Sequence, residues 1–429
     1  MKHTVTEHKL SHGTQGLLID VPGSDVYNIL VRFNSGYQFA DQATYELPHV
    51  MEHLMSTRSQ KYPQKNQFFI EAQKNGAYAN AHTSPDFNSY VYECADFELD
   101  RILDLLEEQL IRPLFTQADL DIERSNVREE LSRNTTDHQR ICSLALSEQA
   151  FPGQSLNFDT RMSQLDTIGL EAIKQYYTYA FTAVNARFYV AGPVAGKSDA
   201  LVERFERLFA QLSPGKPFVT NGAVGLDIPR PILQHKDISQ LYYRASVFSG
   251  QLSLTERHAL TMLRLLLVGG MGSRVMGEAR SRGLAYGVGM SVGSSRGNSE
   301  FGFTGYVTPK NAHDLFKVMV RHTADIVADG LTTAELEAAQ TLGIGTTKRS
   351  YQTSSDMLGW YVGPYEDDRS INHFEAYLDA LQKITVADVR FVAAKVTGTA
   401  KHGVSFVGDI SVDTAQELAM ILEPLWLER

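Results

Sequence analysis

The sequence predicts an α+β protein made of two homologous domains, each a mainly antiparallel sheet with packed helices, duplicated in a clamshell-like manner. Three observations support this prediction. Strand-like alternation is followed by helical periodicity in the first half, the same order recurs in the second half, and a stretch rich in proline and glycine separates the halves. A chain of 429 residues is long enough to form two such domains.

The first half contains short segments in which polar and apolar residues alternate, as expected for half-buried strands, and longer segments with helical periodicity. Both kinds of segment are bounded by residues that favour turns. We predict strands near 16–20, 26–33, 77–82, 86–94 and 187–191, and helices near 98–112, 117–150, 168–180 and 199–212.

A surface linker is predicted at 213–231, where prolines and glycines are concentrated. The two domains are therefore predicted to span 1–212 and 232–429. The second half repeats the order of the first. Its strands are predicted near 240–248, 285–293, 300–308 and 404–407, and its helices near 254–268, 311–328, 333–348 and 412–422.

Two local matches indicate an internal duplication. The segment Phe188–Gly192 resembles Val404–Gly408, and Ala118-Asp-Leu resembles Ala334-Glu-Leu. The offset from Phe188 to Val404 is identical to the offset from Ala118 to Ala334. Agreement in this repeat offset and in the order of the surrounding elements favours a two-fold repeat.

Charge and hydropathy exclude several kinds of partner. The net charge is −10, and the basic residues form no cluster that could bind nucleic acid or an anionic membrane. The first thirty residues alternate polar and apolar types, including His3, Val5 and His8, and do not resemble a secretory leader. No apolar run reaches the length of a membrane span. We expect a cytoplasmic protein with neither nucleic acid nor membrane as a partner.

The segment His49-Val-Met-Glu52-His53 has the spacing of a metal site. It follows Pro48, which suits the first turn of a helix, and histidines four residues apart share one helix face. Two imidazoles on one face can bind one zinc ion, and Glu52 on the flank can act as general base towards a water molecule. The only cysteines are Cys94 and Cys142, so any metal must be held by histidines and carboxylates.

A third ligand is expected from the predicted helix downstream. Glu123 and Glu130 are seven residues apart, which places them two turns apart on one face. One carboxylate could complete a three-ligand catalytic zinc site, and the other could orient a ligand from outside.

With these residues the chain resembles the pitrilysin/insulinase family of zinc peptidases, in particular its half-length members and the mitochondrial processing peptidase subunits. The resemblance implies Zn²⁺ bound by His49, His53 and Glu130, with Glu52 as general base and Glu123 as the supporting carboxylate. The interval from His53 to Glu130 is the one that the family shows between its second histidine and its third ligand.

Further segments resemble the family's substrate-binding parts. The resemblance implies that a peptide adds to an edge strand that contains Asn80, Ala81, His82 and Thr83. It also implies that the second half supplies Arg280 to the substrate and Tyr286 to the developing oxyanion. Substrates would then be peptides or unfolded segments enclosed between domains. By the same resemblance, a half-length chain is expected to form a homodimer or a heterodimer with a paralogous subunit.

Two alternatives remain open at this point. The first is a non-catalytic partner subunit of a peptidase complex, because the family includes such chains. The second is a nucleotide-binding protein, because Gly196-Lys197-Ser198 fits a loose phosphate-loop pattern between a predicted strand and a predicted helix.

Overall fold

The computed structural model describes residues 2–219, 225–295, 297–399 and 401–426. They form two compact units, each built from separate stretches of chain. The first unit draws on 1–133, 158–220 and 351–366, and the second on 134–157, 221–350 and 367–429.

The first unit contains a six-stranded sheet with the strand order β1-β2-β6-β3-β5-β4. Every neighbouring pair is antiparallel except β2 and β6, which are parallel. The sheet is formed by Thr4–Lys9 (β1), Gln15–Asp20 (β2), Val26–Phe33 (β3), Tyr78–Thr83 (β4), Asn88–Ala95 (β5) and Ala186–Gly192 (β6).

The centre of this sheet is buried on both faces, because Asn28 and Leu30 of β3 are buried on the face opposite to Ile29 and Val31. Strand β3 pairs with β6 on one side and β5 on the other, and its Tyr27, Ile29 and Val31 are fully buried. The helices of this unit are Leu47–Met55 (α1), Gln67–Gln73 (α2), Leu99–Ile111 (α3), Gln117–Asn134 (α4), Phe158–Gln164 (α6), Leu170–Ala180 (α7), Ser198–Phe209 (α8) and Ser354–Asp368 (α13).

The second unit contains a five-stranded sheet with the order β7-β11-β8-β10-β9. Its strands are Ile232–His235 (β7), Leu241–Gly250 (β8), Val288–Ser295 (β9), Asn298–Val307 (β10) and His402–Gly408 (β11). Its helices are His138–Ala150 (α5), Leu254–Val268 (α9), Arg274–Ser281 (α10), Pro309–Val327 (α11), Thr333–Ser350 (α12), Phe374–Lys383 (α14), Val386–Thr397 (α15) and Val412–Leu422 (α16).

The two sheets share one topology. Strands β2, β6, β3, β5 and β4 of the first sheet correspond in order to β7, β11, β8, β10 and β9 of the second, and β7 pairs with β11 in parallel as β2 does with β6. Strand β6 begins at residue 186 and β11 at 402, and α4 begins at 117 and α12 at 333, so both pairs of elements keep the repeat offset found in the sequence. The duplicated α+β fold is confirmed.

One helix from each half of the sequence belongs to the opposite unit. Helix α5 packs against β11, where Cys142 Sγ lies 3.2 Å from the Ser405 carbonyl oxygen and a Cβ on Gly403 would lie 2.5 Å from Leu146. Helix α13 packs against the first sheet, where the Tyr189 hydroxyl donates to Glu366 at 2.6 Å. The units therefore differ from the predicted division into 1–212 and 232–429 in these two segments.

The predicted helix 117–150 is two helices. It is interrupted after Asn134, and the Asp137 side chain caps α5 by accepting a hydrogen bond from the Arg140 N–H at 2.9 Å. Residues of this type favour helix ends because their side chains satisfy free backbone N–H groups.

The alternating residues near the start of the chain, including Val5 and His8, form strand β1, which the sequence analysis did not predict. Helices α2, α6, α10, α13, α14 and α15 were also not predicted. Part of the predicted linker, 220–224, lies outside the described residues. On either side of it, Ser213 accepts a hydrogen bond from the Ala183 N–H, and the Ile228 N–H donates to His402. Within the described residues, no helix combines the length and apolar character needed to cross a membrane.

Candidate metal centre

Helix α1 carries both histidines of the predicted site. Pro48 lies in its first turn, and the helix is buried almost throughout because Val50, Met51 and Leu54 pack into the core. The rings of His49 and His53 lie side by side on one face, with centroids 4.9 Å apart. The apolar residues of the motif thus face the core, and both imidazoles lie on one other face of the helix.

Helix α4 brings Glu130 to these histidines. Glu130 Oε2 lies 3.6 Å from His49 Nε2 and 3.9 Å from His53 Nε2, and one ligand atom from each of the three residues lies within 4.8 Å of the others. Atoms bound to zinc at about 2.0–2.1 Å in tetrahedral geometry are separated by roughly 3.4 Å. The three side chains are therefore nearly at the spacing that a single zinc ion requires.

The second ring nitrogen of each histidine lies beside another carboxylate. His49 Nδ1 is 2.9 Å from Glu46 Oε2, and His53 Nδ1 is 3.2 Å from Glu123 Oε2. A carboxylate at Nδ1 holds the proton there and leaves Nε2 as the ligand atom. Because both Nε2 atoms face Glu130, the donor set of two imidazoles and one carboxylate fits zinc.

The electrostatics of the cluster favour a positive charge at its centre. Burial lowers the pKa of His49, but hydrogen bonds with Glu130 and Glu46 outweigh burial and raise this pKa to about 9. The hydrogen bond from His49 lowers the pKa of Glu130 to about 2. Burial raises the pKa of Glu123, but hydrogen bonds from His53 and Asn126 bring it below its usual range. A bound cation would supply the same positive charge.

Glu52 lies on α1 between the two histidines but belongs to a different hydrogen-bond network. Its Oε2 accepts a hydrogen bond from the Thr83 hydroxyl at 2.9 Å, and Thr83 Oγ1 accepts from Asn88 Nδ2 at 2.7 Å. Since the Asn88 amide donates to the Thr83 oxygen, the Thr83 proton is directed to Glu52. Asn88 is itself held by the Ser35 hydroxyl at 2.7 Å. One oxygen of Glu52 is thus fixed, which leaves the other to exchange a proton.

The predicted substrate strand is β4, and it ends the strand order of the first sheet. It pairs with β5, from Tyr78 opposite Glu93 to Thr83 opposite Asn88. The Ala81 N–H donates to the Asn80 side chain at 2.9 Å. His82 lies between them and Thr83 in the strand. The strand therefore has the edge position that a peptide needs in order to pair with it, and its last residue contacts Glu52.

Arg280 and Tyr286 lie in the second unit. The Arg280 guanidinium lies over the Tyr286 ring, 4.3 Å from its centroid, and donates to the Tyr286 carbonyl oxygen at 3.3 Å. The Tyr286 side chain is 77% exposed. Arg280 therefore positions an exposed tyrosine.

The Gly196-Lys197-Ser198 segment connects β6 to α8, as the phosphate-loop alternative requires, but its polar groups are engaged within the protein. The Ala195 N–H donates to the Asp20 carboxylate at 2.9 Å, the Lys197 ammonium lies over the Tyr27 ring, and the Ser198 hydroxyl donates to the Val194 carbonyl oxygen at 3.1 Å. A carboxylate at the loop would repel phosphate. These contacts favour a role in the scaffold over nucleotide binding.

Sequence reasoning missed three polar residues that contact the site. Asn88 holds Thr83, Glu46 holds His49, and Arg161 forms an ion pair with Glu46. Glu46 could have been found, because it lies three residues before His49 and hence on the same side of the helix. Asn88 faces Thr83 across the β4–β5 pairing, and Arg161 reaches the site only through the tertiary fold.

Two family models match this chain. The model described as insulinase, peptidase family M16, matches residues 17–163, which contain His49, His53 and Glu130. The model described as the peptidase M16 inactive domain matches residues 167–342. Together they span most of both duplicated halves.

Relatives and a solved structure agree with the family models. An uncharacterized zinc protease of Streptomyces coelicolor is 24% identical over 386 residues, which cover 86% of this chain and 82% of that protein. The mitochondrial-processing peptidase subunit beta of Caenorhabditis elegans is 23% identical over 195 residues, or 45% of this chain and 42% of that protein. The crystal structure of a protease from Helicobacter pylori matches with a TM-score of 0.83 and 20% identity, covering 94% of this chain and 99% of that chain. The resemblance inferred from the motif is thus confirmed, and the chain belongs to the insulinase family of peptidases, family M16.

Proposed function

We propose that the protein is a zinc-dependent endopeptidase that hydrolyses peptides or unfolded segments. The proposed zinc ligands are His49, His53 and Glu130, and the proposed general base is Glu52. The observation that carries this proposal is the convergence of three ligand atoms within 4.8 Å, with both Nδ1 atoms already held by carboxylates. The zinc proteases among the relatives support the choice of metal.

Zinc supplies Lewis acidity, which lowers the pKa of water and polarises a carbonyl group. Glu52 accepts the proton of the attacking water and can return it to the leaving amine. Thr83 holds one Glu52 oxygen through a hydrogen bond of 2.9 Å, so the carboxylate keeps one orientation while its free oxygen exchanges the proton. Glu123 keeps the proton of His53 on Nδ1.

The proposed substrate is a peptide in extended conformation that pairs with β4. Asn80, Ala81, His82 and Thr83 would contact it, and backbone hydrogen bonds would bind it without strict dependence on sequence. Because Thr83 also holds Glu52, the strand that binds the peptide and the base that activates water are directly connected.

Tyr286 is proposed to donate a hydrogen bond to the oxyanion that develops during attack, and Arg280 to orient Tyr286 and contact the substrate. The cation–π contact of 4.3 Å supports the orienting role. The subunit naming of the mitochondrial relative supports a paired assembly, and we propose a homodimer, with a heterodimer of paralogues as the alternative.

The test is zinc per chain together with hydrolysis of an unstructured peptide before and after chelation. We expect one zinc per chain, loss of hydrolysis with chelator, and recovery on adding zinc. Glu52→Gln should retain the zinc and lose about 10²- to 10⁴-fold in kcat, because a general base contributes that much. An active Glu52→Gln variant would remove Glu52 from the mechanism.

The same experiment tests the alternative of a non-catalytic partner subunit. One family model is described as an inactive domain, but its match covers residues 167–342 and excludes all three proposed ligands. A chain that binds no zinc and cleaves no peptide would establish the alternative.

A further inference from the structure

Glu46 is an unusual residue to find at the start of α1. Its carboxylate is fully buried, with 0% of the residue exposed, and Oε2 lies 2.9 Å from His49 Nδ1. Burying an ionised carboxylate is costly unless it is paired and hydrogen-bonded. The groups that pair with the Glu46 carboxylate should therefore indicate its role.

Arg161, from α6, supplies the opposite charge. Its Nε donates to Glu46 Oε1, and its Nη2 donates to the Tyr37 hydroxyl at 3.1 Å. The guanidinium also lies over the rings of Tyr37 and Tyr45, 4.9 and 5.6 Å from their centroids, and these two rings stack on each other. Arg161 is held from several sides, so the Glu46 carboxylate that it binds has little freedom to turn.

The fold itself does not require this charge. In the second unit, the residue that corresponds to Glu46 under the repeat offset is Met262, which lies in α9 and is fully buried in an apolar core. Replacing a buried ion pair with apolar residues of similar volume often leaves stability unchanged or higher. A purely structural reason for Glu46 and Arg161 is therefore weak.

We propose that Glu46 and Arg161 are positioning residues that hold His49 with its proton on Nδ1 and its Nε2 towards Glu130, so that the metal site is formed before metal arrives. This inference rests on the proposed function. His53 is held more loosely, since its Nδ1 lies 3.2 Å from Glu123 whereas that of His49 lies 2.9 Å from Glu46, and its side chain is 23% exposed against 8% for His49. His49 is the fixed ligand to which the other two adjust.

The test is the zinc dissociation constant of Glu46→Gln, measured on the full chain by competition with a chromophoric chelator and corrected for the folded fraction by circular dichroism. We expect it to rise about 10- to 100-fold, as for other residues that orient a metal ligand. The visible spectrum of bound Co²⁺ should also change, because the orientation of one imidazole changes.

The matched control is Glu300→Gln, which breaks a partly buried Arg–Glu pair, with Arg244, in the second unit. It should lower stability and leave the zinc dissociation constant and the Co²⁺ spectrum unchanged. If Glu46→Gln folds poorly because Arg161 is left unpaired, the double variant Glu46→Met/Arg161→Met removes both charges. It should fold and still bind zinc more weakly than the wild type.

Wild-type zinc affinity in either Glu46 variant would overturn the inference and leave the proposed function intact. A wild-type chain that takes up no zinc would overturn the proposed function and the inference with it.

Discussion

The two units share a sheet topology, yet among the residues that the structure describes only the first brings a cluster of possible metal ligands together between its equivalent helices. In the first unit, α1 and α4 present two histidines and three glutamates that contact one another. Under the repeat offset, α9 and α12 of the second unit carry Met262, Leu265, Ala339 and Thr346 where the first unit has Glu46, His49, Glu123 and Glu130.

Apolar packing fills the corresponding place in the second unit. Leu265 and Met262 are buried, and a Cβ on Gly343 of α12 would lie 2.9 Å from Leu265 Cδ1 and 3.3 Å from Met262 Cε. The glycine lets α12 approach α9 closely, whereas α4 has Val127 at the matching position. The comparison shows that apolar contacts alone can hold these two equivalent helices together. The buried charges of the first unit are therefore an addition to the fold.

The largest effect is expected at Glu130. Glu130→Gln should reduce bound zinc from about one per chain to nearly none, because a neutral amide is a poor replacement for a carboxylate ligand. Metal analysis after gel filtration measures this. The matched variant Thr346→Val changes the equivalent position of α12 and should retain full zinc. Equal zinc in both variants would refute Glu130 as the third ligand.

Leu265→Ala is the converse experiment, because it weakens the core of the second unit and leaves the metal-ligand cluster of the first unit unchanged. It removes buried methyl groups and should destabilise the protein by about 2–5 kcal/mol, as in other large-to-small core changes. The midpoint of urea unfolding measures the loss. Zinc bound per folded chain should be unchanged. Loss of zinc from the folded variant would show that the second unit contributes to the metal site.

Tyr286→Phe tests whether the second unit contributes to chemistry. Loss of one hydrogen-bond donor to an oxyanion typically costs about 10²- to 10³-fold in rate, so kcat should fall by that much with zinc content unchanged. Steady-state hydrolysis of a peptide measures it. Tyr306→Phe, at another exposed tyrosine of the same unit, serves as the control and should have wild-type kcat. Full activity of Tyr286→Phe would remove this residue from the mechanism.

The smallest expected effect is the release of a proton when zinc binds. Because hydrogen bonds with Glu130 and Glu46 raise the pKa of His49 to about 9, this ring is protonated at pH 7 in the metal-free protein. Zinc must displace the Nε2 proton, so binding at pH 7 should release about one proton, and affinity should rise about tenfold per pH unit up to roughly pH 9. Titration calorimetry in buffers of different ionisation enthalpy counts the protons. Zero protons released would contradict the raised pKa.

The raised pKa of His49 also determines how the stability of the metal-free protein depends on pH. The folded pKa of His49 lies above its unfolded value, so its contribution to metal-free stability is complete below about pH 6.5 and is lost as the pH rises through about 9. Leu265, at the matching position of the second unit, does not titrate. This contribution to the pH dependence should therefore come from the first unit alone.

Patterns that are local in sequence predicted most of the strands and the two histidines of the metal cluster, whereas the choice of Glu130 over Glu123 as third ligand was implied by the family resemblance. The spacing of His49 and His53 on one helix, and of Glu123 and Glu130 on another, follows from helix geometry alone. Strand β3 was predicted because apolar and polar residues alternate between turn-forming segments. By contrast, α13 contains Pro364 and two glycines, which are weak helix formers, and contacts with the first sheet stabilise it.

Contacts between distant parts of the chain could not be predicted. Nothing in the sequence near Arg161 indicates that it would form an ion pair with Glu46, 115 residues earlier. Similarly, the helical pattern of 138–150 gave no sign that α5 would pack against β11, because amphipathic periodicity reports which face is buried and not which sheet buries it.

The exchange of α5 and α13 between the units has a consequence for synthesis on the ribosome. A nascent chain that has emerged to residue 219 already contains His49, His53 and Glu130, but it lacks α13, whose Tyr365 and Glu366 bond to the first sheet. At about 5–20 residues per second, translation needs on the order of ten seconds to supply that helix. During this interval the apolar face of α5, including Leu146, has no β11 to cover it. The first unit can therefore complete its fold only after α13 has emerged, whereas the second unit finds α5 already synthesised when β11 appears.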